Sequence, residues 1–321
     1  MRILAALGGN ALLRRGEPAD ADVQLANLAA AIPALAELAM HHELVITHGN
    51  GPQVGMLALE SAADPALRGP YPLDTLGAET QGMIGYWLAR ELENALPSHE
   101  IAALVTQTVV DPNDRAFDTP TKFVGPVYDE ATANRLAAER NWRIARDGDA
   151  WRRVVPSPQP REIVELPIIR LLVDCGVLVI AAGGGGVPVM RGSDGHLHGV
   201  EAVVDKDLAA AVLAIALEAD MLLMLTDVPA VYEDYGTLDA RPIHCGTPMS
   251  LYTQSFAPGS MGPKVDAACR FVTRTGRRAA IGALADAPAL VDGRSGTLIV
   301  PSGLSGIGAH RYTPPFLATA A

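Results

Sequence analysis

Lysine is scarce in this chain of 321 residues, because only Lys122, Lys206 and Lys264 occur among 25 lysines and arginines. Where lysine persists against such a preference for arginine, a compact ammonium group on a flexible stem is favoured as a functional group. All three lysines are predicted to lie in turns rich in glycine, proline or aspartate, not on charged helix faces. The scarcity therefore singles out three cations as candidate site residues.

Long basic runs are also absent, and the formal net charge is −11. This balance argues against nucleic acid as a partner, and any anion site must be a local feature of an acidic surface. The cysteines Cys175, Cys245 and Cys269 form no C-x-x-C pair. Neither a disulfide framework nor a cysteine-based zinc site is therefore predicted, and a reducing cytoplasm is the expected compartment.

No segment is predicted to direct the chain to a membrane. The apolar start at residues 1–7 is cut short by Gly8 and Gly9, so no signal peptide is expected. The run Leu208–Leu217 is expected to be the longest apolar helical run; it is shorter than the roughly 20 residues that span a bilayer, and it is expected to be a core helix.

Three familiar motifs are missing as well. There is no G-x-x-x-x-G-K-[ST], and the run Gly183–Gly186 does not have the spacing G-x-G-x-x-G. A phosphate loop of the first kind is thus excluded, and hydride transfer is a weak hypothesis. No G-x-S-x-G occurs, so a hydrolase triad has no support.

Strands and helices alternate along the chain, which predicts an α/β fold with a largely parallel sheet covered on both faces. The predicted strands are Arg2–Leu7, Leu44–Thr47, Ile101–Val110, Val177–Ala181, Met221–Leu225, Arg278–Ile281 and Thr297–Val300. The predicted helices are Val23–Met40, Thr80–Leu96, Pro167–Asp174, Leu208–Leu217 and Pro263–Thr273. Ligands of such sheets bind at the carboxyl ends of the strands. The turns expected there are Gly8–Asn10, His48–Gly51, Gly183–Gly186 and Thr226–Tyr232.

The segment 111–162 has a different texture, since it is polar and rich in proline and arginine. Such a segment is not typical of core helices or strands, and we predict a surface insertion that acts as a lid. A lid that carries Lys122 would bring it to the site on closure. The alternative is a plain surface loop with short helices.

Lys206 and Lys264 are expected in the first turns of helices, where the helix dipole disfavours cations. A bound anion would resolve that conflict, because backbone N–H groups and both lysines would point at it. The alternative is that Asp205 or Asp207 merely caps a helix and the lysines are solvated. Lysines and glycine amides together suit phosphoryl transfer. No general base stands beside the lysines, so the acceptor is expected to be an anion already, such as a carboxylate.

Eight sequence blocks resemble carbamate kinase, a family within the amino acid kinase superfamily. They are Leu7–Leu12, Thr47–Gly55, Gln81–Leu88, Pro120–Lys122, Val154–Pro158, Val204–Asp207, Leu225–Val228 and Gly259–Lys264. The blocks follow the family's order over nearly the whole chain. The Gly-Gly-Asn turn is shared across the superfamily, whereas the Pro-Thr-Lys and Pro-Ser-Pro segments are more particular to carbamate kinase.

The resemblance implies an open three-layer α/β/α sandwich of the amino acid kinase fold, formed by residues 1–321 as a single domain with an inserted lid subdomain. An N-terminal lobe, 1–200, would bind carbamate and phosphate and contain the lid 111–162. A C-terminal lobe, 201–321, would bind the nucleotide. The implied reaction is ATP + carbamate ⇌ ADP + carbamoyl phosphate with Mg²⁺, catalysed by a homodimer.

The resemblance also assigns roles to residues. Lys122 would come from the lid, Lys206 and Lys264 would stabilise the transferred phosphoryl group, and Asp207 would orient the lysines. The residues expected to hold phosphate and carbamate are Gly8, Gly9, Asn10, Gly49, Asn50 and Gly51. Those expected to border the nucleotide are Thr226, Asp227, Val228, Ala230, Val231, Tyr232, Met261 and Gly262. No protein ligand for metal is expected, because Mg²⁺ would be held mainly by the nucleotide phosphates.

Two lid positions depart from the family pattern. Phe123 follows Lys122 where the family often has proline, and Gln159 precedes Pro160 where it often has lysine. Two other functions are therefore kept open. One is a kinase of the same fold for another small carboxylate or a phosphonate, and the other is a catalytically silent nucleotide-binding sensor. The family can make ATP during the catabolism of arginine or other nitrogen compounds, and the residues do not specify the direction.

Overall fold

The computed structural model describes residues 1–14, 16–63, 66–67, 69–257 and 259–302, with the side chain of Asn10 outside the described part. The strands are β1 (Arg2–Leu7), β2 (Glu43–His48), β3 (Ile101–Ala103), β4 (Gln107–Val110), β5 (Lys122–Tyr128), β6 (Arg143–Asp147), β7 (Ala150–Val155), β8 (Pro160–Ile163), β9 (Leu178–Ile180), β10 (Val187–Arg191), β11 (Leu197–Gly199), β12 (Met221–Thr226), β13 (Val231–Glu233), β14 (Arg241–Ile243), β15 (Cys245–Gly246), β16 (Arg278–Ala283) and β17 (Thr297–Ile299). The helices are α1 (Ala21–His41), α2 (Gly51–Ala63), α3 (Leu73–Ala95), α4 (Glu130–Arg140), α5 (Leu166–Asp174), α6 (Lys206–Ala216), α7 (Pro248–Tyr252), α8 (Met261–Thr275) and α9 (Ala287–Val291).

A large sheet lies at the centre of the molecule, with the order β15-β17-β16-β12-β1-β2-β9-β3. Its pairings are parallel except for β16 with β17. Strands β1 and β12 are apolar runs because both of their faces are buried. The prediction of a largely parallel α/β sheet is confirmed.

Helices cover both faces of this sheet. Alternate residues of β1 point to opposite sides, as in any strand. Leu4 belongs to a core that includes Leu213 of α6 and Phe271 of α8, whereas Ile3 belongs to a core that includes Leu35 of α1 and Ile84 of α3. The predicted three-layer α/β/α sandwich is therefore confirmed.

Helix α1 is long and apolar enough to cross a membrane by length and composition alone. Its inward face instead packs in the core, where Leu28, Leu35 and Leu38 are buried. The expectation that Leu208–Leu217 is the longest apolar helical run was therefore wrong, since α1 is longer.

The segment Ile101–Val110 does not form the single strand that was predicted. It divides into β3 in the central sheet and β4 in a second sheet, whose order is β11-β10-β4-β8. The chain turns away between them because Thr106 is buried and bonded to Gln81, with its backbone N–H donating to Gln81 Oε1 at 3.0 Å. A local β-forming pattern does not reveal that contact.

The inserted segment is more regular than its sequence suggested. Strands β5, β7 and β6 form an antiparallel sheet, to which α4 is attached by short connections. Val124 and Val155 of this sheet share a small core with Val54 of α2 and with Leu73 and Leu76 of α3. The sequence predicted a surface insertion over 111–162 but not the strands within it, and we call the unit formed by β5 to β7, with α4, the lid.

Candidate functional site

The carboxyl ends of three neighbouring strands lie side by side. Leu7 of β1 pairs with His48 of β2 on one side and with Leu225 of β12 on the other. The backbone N–H of Gly8 donates to Leu225 O at 2.9 Å, and that of Gly49 donates to Leu7 O at 3.1 Å. This register brings together the turns that the sequence assigned to one site.

Two of these turns are in direct contact. A Cβ atom at Gly49 would lie 3.0 Å from the backbone nitrogen of Gly9, so no larger residue fits without displacement. Gly9 and Gly51 face open space, since a Cβ at either position would meet nothing within 4 Å. Gly51 is also the first residue of α2, and a helix start with exposed backbone N–H groups suits an anion.

The four-glycine run closes around Asn50. Gly184 has a φ of 64°, and a Cβ there would lie 2.1 Å from Asn50 Nδ2. That amide nitrogen donates to Thr80 Oγ1 at 2.8 Å, which fixes its orientation. Glycine at position 184 is thus explained by the close approach of its backbone to a predicted site residue.

His48 is a site residue that sequence reasoning missed as a titratable group. Its ring is buried, and a Cβ at Gly183 would lie 2.3 Å from Nε2. Burial lowers the pKa of His48 to about 4, helped by the nearby Lys206 cation and opposed by a contact with Gly49 O. Near neutral pH the imidazole is therefore uncharged and weakly basic.

The three scarce lysines converge on two aspartates. Lys206 and Asp207 open α6, and their Nζ and Oδ1 atoms lie 2.7 Å apart. Lys264, in the first turn of α8, places Nζ 3.0 Å from Asp207 Oδ2. Pro263 was predicted to be the first residue of this helix, but α8 begins at Met261 and Pro263 is its third residue. Lys122 opens β5 of the lid, and its Nζ lies 2.7 Å from Asp205 Oδ2.

The electrostatics of Asp207 follow from these contacts. Burial alone would raise the pKa of Asp207, but the two adjacent ammonium groups outweigh it and lower the pKa to about 2. Burial also lowers the pKa of Lys206, and so does Lys264, while Asp207 opposes both effects. An ionised Asp207 between two cations cannot serve as a general base near neutral pH.

Lys206 retains unused hydrogen-bonding capacity. Nζ forms an ion pair with Asp207 Oδ1, but within the described residues neither of these two buried atoms has a hydrogen-bond partner. A buried polar atom without such a bond is costly and normally has a partner. A phosphoryl oxygen would supply one.

The predicted alternative for this region is half correct. Asp205 is the N-cap of α6, with Oδ1 accepting from the backbone N–H of Asp207 at 2.9 Å and of Leu208 at 3.3 Å. The lysines of the two helices are not solvated, however, because the side chains of Lys206 and Lys264 are only 10% and 14% exposed. Capping and cation clustering therefore occur together.

The residues expected at the nucleotide divide into exposed and buried groups. Thr226 ends β12, and its hydroxyl donates to Asp227 Oδ1 at 3.1 Å. Asp227 is exposed, and Val228 and Tyr232 are half-buried. The buried pair, Ala230 and Val231, supports this segment from the core.

Helix α8 carries Lys264 as well as two of the residues expected to border the nucleotide. Met261 and Gly262 are its first two residues, ahead of Lys264. Gly262 donates its N–H to Ala257 O at 2.9 Å, and a Cβ there would lie 3.0 Å from the same oxygen. The predicted site residues thus lie along one edge of the sheet. In the part of the chain that the structure describes, no group of three or more histidine, cysteine, aspartate or glutamate side chains is arranged to hold a metal ion.

Comparison with known proteins agrees with this geometry. The model of the amino acid kinase family matches residues 1–283. Carbamate kinase of Rhizobium meliloti (strain 1021) is 53% identical over 317 residues, which cover 98% of this chain and 97% of that protein. Carbamate kinase of Haemophilus influenzae is 51% identical over 300 residues, covering 93% and 96%.

A solved structure is similar as well. Carbamate kinase from Giardia lamblia bound to AMP-PNP has a TM-score of 0.86 and 39% identity, and the match covers 93% of this chain and 98% of that one. The family model and the full-length relatives lead to the same result: this chain belongs to the amino acid kinase family and, within it, to the carbamate kinases.

Proposed function

We propose that this enzyme transfers a phosphoryl group reversibly between ATP and carbamate, giving ADP and carbamoyl phosphate. The observation that carries the proposal is the convergence of Lys122, Lys206 and Lys264 on two aspartates at the carboxyl edge of the sheet. Three ammonium groups against two carboxylates leave one net positive charge. Such a cluster suits the charge that spreads over the phosphoryl oxygens in the transition state.

Among the described residues beside the three lysines, Asp205, Asp207 and His48 are unsuited to act as a general base, and this points to the kind of acceptor. Asp207 stays ionised between two lysines, and His48 is too weakly basic, with a pKa of about 4. Asp205 has its oxygens on Lys122 and on the start of α6. An acceptor hydroxyl would need a base to take its proton, whereas carbamate is already an anion and needs none.

The transfer then balances without a proton. A carbamate oxygen forms a bond to the γ-phosphorus while the bond from that phosphorus to the bridging oxygen of ADP breaks. Lys206 and Lys264 would stabilise the equatorial oxygens, and Asp207 would hold both ammonium groups in place. Lys122 would close on the same group from the lid.

Different turns at the strand ends are assigned to different substrates. We assign phosphate and carbamate to the N-terminal lobe, 1–200, at the turns Gly8–Asn10 and Gly49–Gly51, where Gly9 and Gly51 face open space. We assign the nucleotide to the C-terminal lobe, 201–321, along Thr226–Tyr232 and the start of α8 at Met261 and Gly262. Mg²⁺ would arrive on the nucleotide phosphates, because Asp205 and Asp207 already have their oxygens on lysines and a helix start. When bound, the ion would neutralise phosphate charge.

The wider role is part of the same proposal. We propose a cytoplasmic homodimer that makes ATP during the catabolism of arginine or other nitrogen compounds. The dimer would use the edge of the central sheet at β3, beside which Tyr86 of α3 and Val105 are exposed. Sedimentation of the wild-type protein and of Tyr86→Glu would test the assembly, and an unchanged monomer-sized particle for both would contradict it.

The test of the reaction is ATP formation from ADP, Mg²⁺ and carbamoyl phosphate, with acetyl phosphate as the comparison donor. Rapid ATP formation from carbamoyl phosphate alone is the expected result. Equal rates with both donors would favour a kinase of another small carboxylate. Nucleotide binding without turnover would favour a silent sensor.

The two departures from the family pattern, Phe123 and Gln159, lie outside the lysine cluster. The Phe123 ring contacts the Arg152 guanidinium, whose carbon lies 5.9 Å from the ring centroid. Gln159 accepts a hydrogen bond from Arg270 Nη1 at 2.8 Å. Because these contacts leave Lys122 on Asp205, we expect carbamate to remain the acceptor.

A further inference from the structure

Residues 201–205 run between the lid and the body of the protein, and their burial alternates along the chain. Glu201 is exposed, and Val203 and Asp205 are half-buried. Ala202 and Val204 are buried in a small core together with Val110 and Ala209. The residues between and beside them contact the lid, and we call the segment 201–205 the docking segment.

Three consecutive odd positions of the docking segment reach the lid or the chain just after it. Glu201 Oε1 lies 3.0 Å from Arg153 Nη2 of β7, and the backbone N–H of Val203 donates to Pro156 O at 3.0 Å. Asp205 Oδ2 lies 2.7 Å from Lys122 Nζ of β5. Both ends of the docking segment therefore form ion pairs with the lid, and its middle residue is hydrogen-bonded to Pro156, which directly follows the lid.

Both carboxylates of the segment use their second oxygen on a helix start. Glu201 Oε2 accepts from the backbone N–H of Leu73, the first residue of α3, at 2.8 Å. Asp205 Oδ1 accepts from Asp207 and Leu208 in the first turn of α6. Each carboxylate therefore joins one lid cation to one helix of the body.

We propose that the docking segment holds the lid closed over the lysine cluster, and that Asp205 is a positioning residue that places Lys122 while capping the helix that carries Lys206. This inference rests on the proposed phosphoryl transfer. It adds a function for Asp205 beyond a cap, and it assigns to Glu201 the second attachment point of the lid.

Lys122 can still bind a phosphoryl oxygen while Asp205 holds its ammonium group. An ammonium group has three N–H donors, and Asp205 Oδ2 takes one of them. The side chain of Lys122 remains 41% exposed, so its other donors are open to a phosphoryl oxygen. The same carboxylate fixes the start of α6, so the lid lysine and Lys206 are placed relative to each other through one side chain.

The test for Asp205 is a double-mutant cycle with Lys122. Asp205→Asn keeps an oxygen for capping α6, because asparagine caps helices about as well as aspartate, but it removes the charge that faces Lys122. We expect kcat to fall about tenfold, the loss typical of one hydrogen bond to a charged group. In a Lys122→Ala background, Asp205→Asn should cost less than about twofold, since such effects overlap when one residue acts through the other.

A second measurement, quenching of tryptophan fluorescence, reports on the position of the lid independently of enzyme activity. Trp142 of the lid is stacked beside Arg153, whose guanidinium carbon lies 4.9 Å from the ring centroid. Glu201→Gln removes the charge that holds Arg153, so we expect acrylamide to quench Trp142 more strongly in a background that carries both Trp87→Phe and Trp151→Phe, where Trp142 is the remaining tryptophan. Glu93→Gln, an exposed carboxylate of α3, is the matched control and should leave quenching unchanged.

Each outcome decides the proposal. Independent, multiplicative effects of Asp205→Asn and Lys122→Ala would show that Asp205 acts only as a cap and would overturn its positioning role. Unchanged quenching in both Asp205→Asn and Glu201→Gln would overturn lid docking. If the wild-type protein transferred no phosphoryl group, the proposed function would fail, while the quenching comparison would still decide whether the segment docks the lid.

Discussion

Lys264 Nζ lies 3.0 Å from Asp207 Oδ2, and this contact between residues 57 positions apart in the chain joins the first turns of α6 and α8. The contact places a cation at a helix start, where the dipole disfavours it. Asp207 compensates in the described structure, and a phosphoryl group would compensate further in the complex. Under the proposed function, the pair would therefore link the folded arrangement of α6 and α8 to the binding of a phosphoryl group.

Replacing Lys264 by arginine keeps the charge but changes its shape. A planar guanidinium cannot place one compact donor group beside Asp207 and the transferred phosphoryl group in the same way. We expect Lys264→Arg to lose about 10²–10³ in kcat, by analogy with other charge-stabilising donors. The assay is ATP formation from carbamoyl phosphate, with Arg274→Lys in the exposed last turn of α8 as the control. Wild-type turnover in Lys264→Arg would remove Lys264 from the mechanism.

Asp207 should also determine how stability depends on pH. Its pKa in the folded protein is about 2, below the ordinary value of 3.8. Because the folded pKa is depressed, the stability it contributes is present above the ordinary pKa and is lost as pH falls toward the folded value. We expect wild-type unfolding free energy to decline across this interval, with a smaller decline in Asp207→Asn.

Asp207→Asn should itself be costly near neutral pH. It leaves Lys206 and Lys264 buried without their carboxylate, and breaking a buried ion pair costs roughly 3–5 kcal/mol. Urea unfolding at several pH values measures both effects, with Asp239→Asn as an exposed control. An acid decline of wild-type size in Asp207→Asn would show that other groups cause it.

Part of the fold could be predicted because its signals are local. The apolar runs Arg2–Leu7 and Met221–Thr226 are long enough on their own to indicate buried parallel strands, and a glycine turn follows the first of them. The division of Ile101–Val110 could not be predicted, because it depends on Gln81, which contacts Thr106 across 25 residues. The lid sheet was missed since its short strands carry arginines and little apolar alternation.

The site shows the same division between local and distant causes. The scarcity of lysine was enough to identify Lys122, Lys206 and Lys264, and the resemblance added Asp207. The second function of Asp205 depends on a contact with Lys122 across 83 residues, so its local pattern indicates only a helix cap. The low pKa of His48 likewise comes from burial, and the turn sequence His48-Gly49-Asn50 does not show that the ring is buried.

Gly184 offers a test of the acceptor site. Alanine there would meet two separate penalties, a φ of 64° and a Cβ only 2.1 Å from Asn50 Nδ2. Gly195→Ala is the matched control, because Gly195 has a φ of 82° but open space around its Cβ position. Both variants should lose roughly 1–2 kcal/mol of stability from the left-handed backbone.

Only Gly184→Ala should affect catalysis, since only there does the new methyl group displace Asn50. We expect a rise in KM for carbamoyl phosphate in Gly184→Ala and an unchanged KM in Gly195→Ala. Steady-state kinetics and urea unfolding of the two variants separate the effects. Equal KM values would mean that the close approach to Asn50 does not matter for binding.

Gly55 tests whether the lid must pack closely on α2. A Cβ at Gly55 would lie 2.5 Å from the Cα atom of Gly125 in β5, and a backbone atom cannot rotate away as a side chain would. Gly55→Ala should therefore push the lid, with Lys122, away from the site. Misplacing a reacting group by about 1 Å can cost about 10²-fold in rate, and we expect a kcat loss of that order.

The stability of Gly55→Ala should separate this effect from unfolding. Alanine favours a helix by roughly 0.5–1 kcal/mol over glycine, so α2 itself gains while lid packing is lost. Gly82→Ala in α3 is the control, because its Cβ would meet nothing within 4 Å, and it should keep full activity. Urea unfolding and kcat are measured for both variants. A Gly55→Ala protein with wild-type kcat would show that Lys122 reaches the site without this packing, because the lid would then work while displaced from α2.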